Sequence, residues 1–321
     1  MPLTPKRVLV TGASGFVGRH VVRCLMASGH HPVCFVRNTD RMRALLADAA
    51  PGQYTVAAGS PFDESALRQA SRDIDAAVHL IGIILERRRF RGQSFRRVHV
   101  EAAQRVLEAA RAAGASRFLH MSALGTRPGA VSRYHRTKWE AESFVRASGL
   151  AFTIFRPSVI HGPDGEFMQL MKRFVCGLVP PVIPYFGRGA ARLQPVSVRD
   201  VAHCFAAALD LERTAGQVYE LGGPKTYTWK ELYETCRRLI PGASRYKPKV
   251  SVPLPVAKLI GLTGDAADFL IGTRLLIPFN LAQVQMSQEE NTCDTRPVEE
   301  AFDIRMRDFE EELALYAGRI H

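Results

Sequence analysis

Short apolar runs alternate along the first half of the chain with stretches whose apolar residues recur at helical spacing. Residues 8–10, 32–36, 54–57, 76–81, 117–122 and 151–156 read as buried strands, the last broken by Pro157. Between them Val17, Val21, Val22 and Leu25 share one helix face, and Val98, Ala102, Val106 and Ala110 share another. Helices are predicted over 64–71, over 94–113 with Gly114 at the end, and over 137–148 stopped by Gly149. Strict strand–helix alternation implies an α/β fold, a doubly wound parallel sheet.

The second half changes character. Residues 163–192 are rich in Gly and Pro and carry Phe167, Met168, Leu170, Met171 and Phe174. Ser197 and Asp200 form a capping-box pattern that opens a helix through Leu211, and Thr228 with Glu231 forms another. A last strand is expected at 218–221, followed by the turn Gly222-Gly223-Pro224. Residues 251–282 are apolar and punctuated by Pro and Gly, and the tail 296–320 ends in an acidic amphipathic helix. The expected division is a dinucleotide-binding domain over 1–162, to which 194–225 returns, and a smaller substrate or docking region made of 163–193 and 226–321.

The loop between the first strand and the first helix carries candidate chemistry. Gly12, Gly15 and Gly18 stand at G-x-x-G-x-x-G spacing, with Ser14, Phe16 and Val17 between them. Gly12 permits the turn, Gly15 lets backbone approach a pyrophosphate, and Gly18 lets helix and strand pack closely. The helix start offers free N–H groups to phosphates. Arg37 ends the second strand, 25 residues after Gly12, where an acidic residue would bind a ribose 2′-hydroxyl and an arginine suits a 2′-phosphate. With Arg41 and Arg43 nearby, NADP(H) is favoured over NAD, which stays open because a bent loop could bring Asp40 to the ribose. Gly82, Pro157 and Ser158, at later strand ends, complete the expected cofactor contacts.

Tyr134 and Lys138 stand four apart at a helix start and so share one face. Beside a nicotinamide, the ammonium would lower the phenol's pKa and make Tyr134 a proton donor and acceptor, while Lys138 also binds ribose. Together with Arg156-Pro157-Ser158, Gly162-Pro163, Gln194-Pro195-Val196 and Asp200-Val201-Ala202, these residues make a chain that resembles the extended short-chain dehydrogenase/reductases. Val98-His99-Val100-Glu101-Ala102 and His120-Met121-Ser122-Ala123-Leu124-Gly125 are similar to an atypical branch. That branch includes the NADPH-binding accessory subunit of respiratory complex I and its bacterial relatives. The resemblance implies a hydroxyl beside Tyr134, yet Ala123 stands at its usual position, leaving Ser122 or Thr126 to serve. It also implies a Gly-Asp near the adenine, where this chain has Gly59-Ser60 and Asp63 three residues later.

Composition narrows the partners. The net charge is +12, and 35 of the 43 basic residues are arginine, so the charge persists at any physiological pH. This favours an anionic cofactor, an acidic partner or an anionic lipid surface. The basic residues lack aromatic interleaving, so nucleic acid is not expected; the densest cluster, Arg87-Arg88-Arg89-Phe90-Arg91, reads as a solvated loop. No apolar run reaches the roughly 18 residues of a membrane span, and the start runs into the first strand without room for a signal peptide. Six cysteines without metal spacing fit a reducing, cytoplasmic setting, with a peripheral position on the inner face of a membrane as an alternative. His99 and His161 are expected to be structural, and no metal is expected. Three functions stay open: an NADP(H)-dependent oxidoreductase acting on a lipophilic (sterol-, isoprenoid- or quinone-like) carbonyl or alcohol, a non-catalytic NADPH-binding subunit or assembly factor of a membrane-associated respiratory complex, and a redox sensor.

Overall fold

The protein is described from a computed structural model over residues 4–86, 92–178, 180–259 and 281–320. The arginine cluster at 87–91 and most of the apolar stretch at 251–282 lie outside the described residues. Six strands arise from the apolar runs of the first half: β1 (Arg7–Thr11), β2 (His31–Val36), β3 (Thr55–Ala58), β4 (Ala76–His79), β5 (Arg117–Met121) and β6 (Ala151–Pro157). Short strands β7 (Ile160–His161), β8 (Ile183–Phe186), β9 (Arg192–Leu193) and β10 (Val196–Ser197) follow, then β11 (Gln217–Leu221), β12 (Tyr227–Thr228) and β13 (Lys249–Val252). Seven strands form one parallel sheet in the order β11-β6-β5-β4-β1-β2-β3.

Alternation along the strands divides the core between two faces. Leu9, Val33, Phe35, Ala77 and Phe118 face α3 (Glu64–Ala70), α4 (Ala102–Ala112) and α5 (Arg133–Arg146) through Leu67, Val106, Ala110 and Val145. Val8, Val10, Cys34, Val78 and Leu119 face α1 (Phe16–Ala27) and α7 (Val198–Ala207) through Val21, Leu25, Val201 and Phe205. α2 (Thr39–Leu45) adds Met42 to this second face. A separate apolar cluster joins Met171 and Phe174 of α6 (Glu166–Cys176), Leu232 and Tyr233 of α8 (Trp229–Leu239), and Phe309 and Leu313.

Several elements differ from the sequence reading. The helix expected over 94–113 opens as a π-helix, Arg96–Glu101, before α4. The Gly- and Pro-rich stretch contains the helix α6, whose buried Met168, Met171, Phe174 and Val175 recur at helical spacing. The tail ends in an acidic helix, as expected, and holds a second helix before it. After α9 (Leu281–Met286) it forms α10 (Arg296–Phe302) and α11 (Phe309–Tyr316), divided at Asp303, whose φ of 50° ends the first. Val298, Phe302 and Met306 pack on the large sheet's core, while Phe309 and Leu313 join the second cluster. Ser197 caps α7 by accepting from Arg199 N–H, but Asp200 does not complete a box: its carboxylate accepts the backbone N–H of Arg307 at 2.8 Å and pairs with that guanidinium. The Thr228–Glu231 capping box forms as predicted.

The β1–α1 packing leaves no room at Gly18. A Cβ there would lie 2.1 Å from the carbonyl oxygen of Gly12 and 2.8 Å from Ala13 Cα. Both are backbone atoms that cannot swing aside. Gly18→Ala is therefore expected to cost on the order of 1–3 kcal/mol or more of overpacking, read as a lower urea midpoint at unchanged m-value.

Candidate functional site

Because all seven strands are parallel, their C-terminal ends share one edge, and the strand order reverses between β1 and β4. Ligands of open α/β sheets bind in the crevice at such a switch point. Gly12, at φ 76°, turns the chain there, and a Cβ on it would lie 3.2 Å from the Leu80 carbonyl carbon beyond β4. Gly15 is exposed and caps α1 without any side-chain bond, which leaves the first N–H groups of the helix open to an anion. This bare glycine cradle fits a pyrophosphate. Ser14 is half-buried beside it, and Val17 belongs to the core. The Phe16 ring turns toward the segment after β7, where Cβ atoms on Gly162 and Gly165 would approach it to 3.0 and 2.9 Å.

Arg37 lies exposed at the end of β2. Asn38 caps α2 by accepting Arg41 N–H at 2.8 Å, and Asp40 pairs with Arg43 at 3.2 Å. Arg37 and Arg41 have no carboxylate partner among the described residues. Asp63, three residues after Ser60, is the N-cap of α3 and accepts Ala66 N–H at 3.0 Å.

α5 starts at Arg133, four residues before the apolar pattern suggests, because the Ser132 hydroxyl accepts His135 N–H at 3.1 Å. Tyr134 and Lys138 thus fall in the first two turns. The Tyr134 ring meets Phe95, His99 and His135 edge to face, with centroids 5.8, 5.2 and 5.2 Å away. This enclosure pushes its phenol up to about 12. Lys138 does not counter that shift in this arrangement. Its ammonium donates to the Met121 carbonyl at 2.9 Å and lies 3.1 Å from where a Cβ on Gly82 would stand. Burial takes Lys138 down to about 8, opposed by the Glu142 carboxylate, which is itself held by Arg156 at 2.7 Å.

Ser122 and Thr126 come together beyond β5: the Ser122 hydroxyl donates to Thr126 Oγ1 at 3.3 Å, and both are buried. Ala123 is buried beside them. Pro157 ends β6 opposite Leu221, and the Ser158 hydroxyl donates to the Asn291 carbonyl at 3.2 Å, which engages it with the tail. His99 bonds to Thr137 Oγ1 at 2.9 Å and to the Ile83 carbonyl at 2.9 Å, and His161 to the Tyr316 hydroxyl at 3.0 Å, so both have structural bonds. Among the described residues no His, Cys, Asp or Glu group could hold a metal.

Sequence reasoning missed His79 and His120. They stack at 5.6 Å with planes 7° apart, on the side of the sheet that carries Lys138. The signal was available: each lies at or one residue before the end of a short strand, on the same alternation phase as the apolar residues facing α4 and α5.

Comparison with known proteins gives this edge its context. The family model for NAD-dependent epimerases and dehydratases matches residues 8–222. The Arabidopsis thaliana protein named NADH dehydrogenase [ubiquinone] 1 alpha subcomplex subunit 9, mitochondrial, is 32% identical over 280 residues, 86% of this chain and 66% of its own length. The chain thus spans just under two thirds of that relative. The ceramide reductase of Caulobacter vibrioides is 32% identical over 83% of this chain and 80% of its own. Among solved structures, a dTDP-glucose 4,6-dehydratase from Streptomyces venezuelae with NAD bound superposes with a TM-score of 0.72 at 23% identity, over 97% of this chain and 95% of that one. That likeness shows the fold. The family match spans β1 to the end of β11, the segment that builds the glycine cradle, the Tyr134–Lys138 pair and the sheet edge between them: the chain belongs to the NAD-dependent epimerase/dehydratase family.

Proposed function

We propose that this protein binds NADP(H) at the β1–β4 crevice and interconverts a carbonyl and an alcohol on a lipophilic substrate, with Tyr134 as the proton carrier. The placement of Tyr134 and Lys138 carries the reading: both sit at the start of α5, with the ammonium against Gly82 and the Met121 carbonyl. When bound, the nicotinamide would supply the hydride donor or acceptor. Tyr134 holds its proton at neutral pH, since its phenol is pushed up to about 12, and is therefore set to donate to a carbonyl oxygen. Ser122 and Thr126 offer hydroxyls to steady that oxygen. Lys138 supplies positive charge on the same helix face.

Arg37 and Arg41 support the 2′-phosphate, because a guanidinium without a carboxylate partner is free to pair with it. Arg37→Ala should weaken NADPH binding by about 1.5–3 kcal/mol, the worth of one charged hydrogen bond, and leave NADH binding nearly unchanged. Calorimetry that finds equal wild-type affinity for the two cofactors overturns the assignment.

A second reading is a non-catalytic NADPH-holding subunit docked on a membrane-associated respiratory complex. It is favoured by Ala123 at the usual hydroxyl position and by the similarity to the Arabidopsis protein. With a charge of +12, such a protein should also adhere to anionic bilayers. Among the described residues no helix is long and apolar enough to cross a membrane. Flotation with anionic liposomes should recover the protein at about 0.01 M salt and lose it toward about 1 M, as the Debye length falls from about 30 to about 3 Å. No recovery at low salt removes lipid contact from this reading.

A further inference from the structure

His79 at the end of β4 and His120 on β5 are directly paired in the sheet and are fully enclosed, with 0% and 1% of their surface exposed. His79 Nδ1 bonds to Thr11 Oγ1 at 2.8 Å. Its Nε2 and both ring nitrogens of His120 meet no protein partner. A neutral imidazole carries one donor and one acceptor, and buried polar atoms of this kind are satisfied as a rule. Three such nitrogens around one stacked pair mark a polar enclosure, and buried waters typically bridge two to four such groups.

Lys138 lies against this enclosure. Its ammonium sits on the Met121 carbonyl, one residue past His120, and stands with His99 Nε2 over Gly82. Its charge is felt by His79 from β4, His120 from β5 and His99 from the π-helix; Glu142 of its own helix, held by Arg156 of β6, faces it, and Tyr134 packs on His99. All three imidazoles are kept neutral by burial and by the positive charge of Lys138. Neutral rings can accept a hydrogen bond, directly or through water, without adding repulsion. An ammonium that has lost bulk solvent gains most from such acceptors.

We propose that His79 and His120 hold an internal water between β4, β5 and α5, and through it set the protonation of Lys138. The two histidines are positioning residues: the water accepts from the ammonium and donates to a bare imidazole nitrogen, so the charged form of Lys138 is favoured. The site lies on the sheet side of the Tyr134–Lys138 pair and needs no cofactor.

The test uses the full chain without cofactor, so its failure is separable from failure of the NADP(H) reading. The Lys138 side chain is titrated by the carbon-13 shift of its Cε in wild type, His120→Phe and His120→Gln. Phe keeps the stacked ring and removes both nitrogens; the expected result is a Lys138 midpoint lower by at least about half a pH unit, with Gln recovering most of it. A folded His120→Phe protein with an unchanged midpoint overturns the proposal. If that variant does not fold, the nitrogen-15 shifts of the wild-type rings decide. Hydrogen-bonded nitrogens at both His79 and His120, with water density between them in a high-resolution crystal structure, support it. Bare nitrogens or an empty enclosure overturn it.

Discussion

Acidification from about pH 7.5 to about pH 5.5 is expected to lower the free energy of unfolding by roughly 5 kcal/mol. His79, His99, His120 and His161 are all buried, and burial holds each far below the ordinary 6.5, His79 and His161 at about 3. In the unfolded chain each protonates near 6.5; in the folded protein it does not. Below that value the unfolded state binds more protons, so stability falls with pH. One such histidine loses about 1.4 kcal/mol by one unit below its unfolded pKa, and four lose roughly four times that. The loss continues until the folded pKa values are reached. Against a typical total of about 5–15 kcal/mol, this is enough to unfold a marginal domain. Urea melts at a series of pH values measure it, and His161→Phe should remove about a quarter of the dependence. A flat profile between the two pH values means that the folded state takes up as many protons as the unfolded one, and overturns the burial of these rings as neutral groups.

The second large effect concerns Tyr134. If it carries the proton, Tyr134→Phe should keep NADPH affinity and lose about 10²–10⁴-fold in rate. The aromatic enclosure by Phe95, His99 and His135 is retained in the Phe variant, so the ring's packing is conserved. Lys138→Ala should harm binding and turnover together. Stopped-flow oxidation of bound NADPH against lipophilic ketones and quinones reads both. Equal rates in wild type and Tyr134→Phe eliminate the catalytic role, and a tyrosine-dependent rate eliminates the purely structural subunit.

Local chemistry made much of the candidate site legible. The β1–α1 turn was readable because strand periodicity, three glycines and helix periodicity lie within a few turns of chain, and each reports its own backbone requirement. Tyr134 and Lys138 were readable for the same reason, as an i, i+4 pair. The start of their helix was less so, since Ser132 decides it through a cap on His135 and the apolar stripe begins later. α6 was obscured by the Gly and Pro that flank it, although its Met and Phe spacing is helical.

The sequence by itself determined the alternating architecture, the glycine turn between β1 and α1 and the face shared by Tyr134 and Lys138, because short-range sterics and hydrogen bonds dictate these wherever the segment is placed. Only the tertiary structure decided how those groups are charged. The His79–His120 stack depends on the register of two strands some 40 residues apart, and the Glu142–Arg156 pair depends on α5 lying against β6. Asp200 reads locally as a helix-start acid, yet Arg307 claims it from 107 residues away. Burial and long-range pairing set protonation, and neither is encoded in the spacing of neighbouring residues. The phenol that spacing alone would have lowered is raised, because Lys138 directs its charge to the Met121 carbonyl while the rings packed on Tyr134 strip solvent from it.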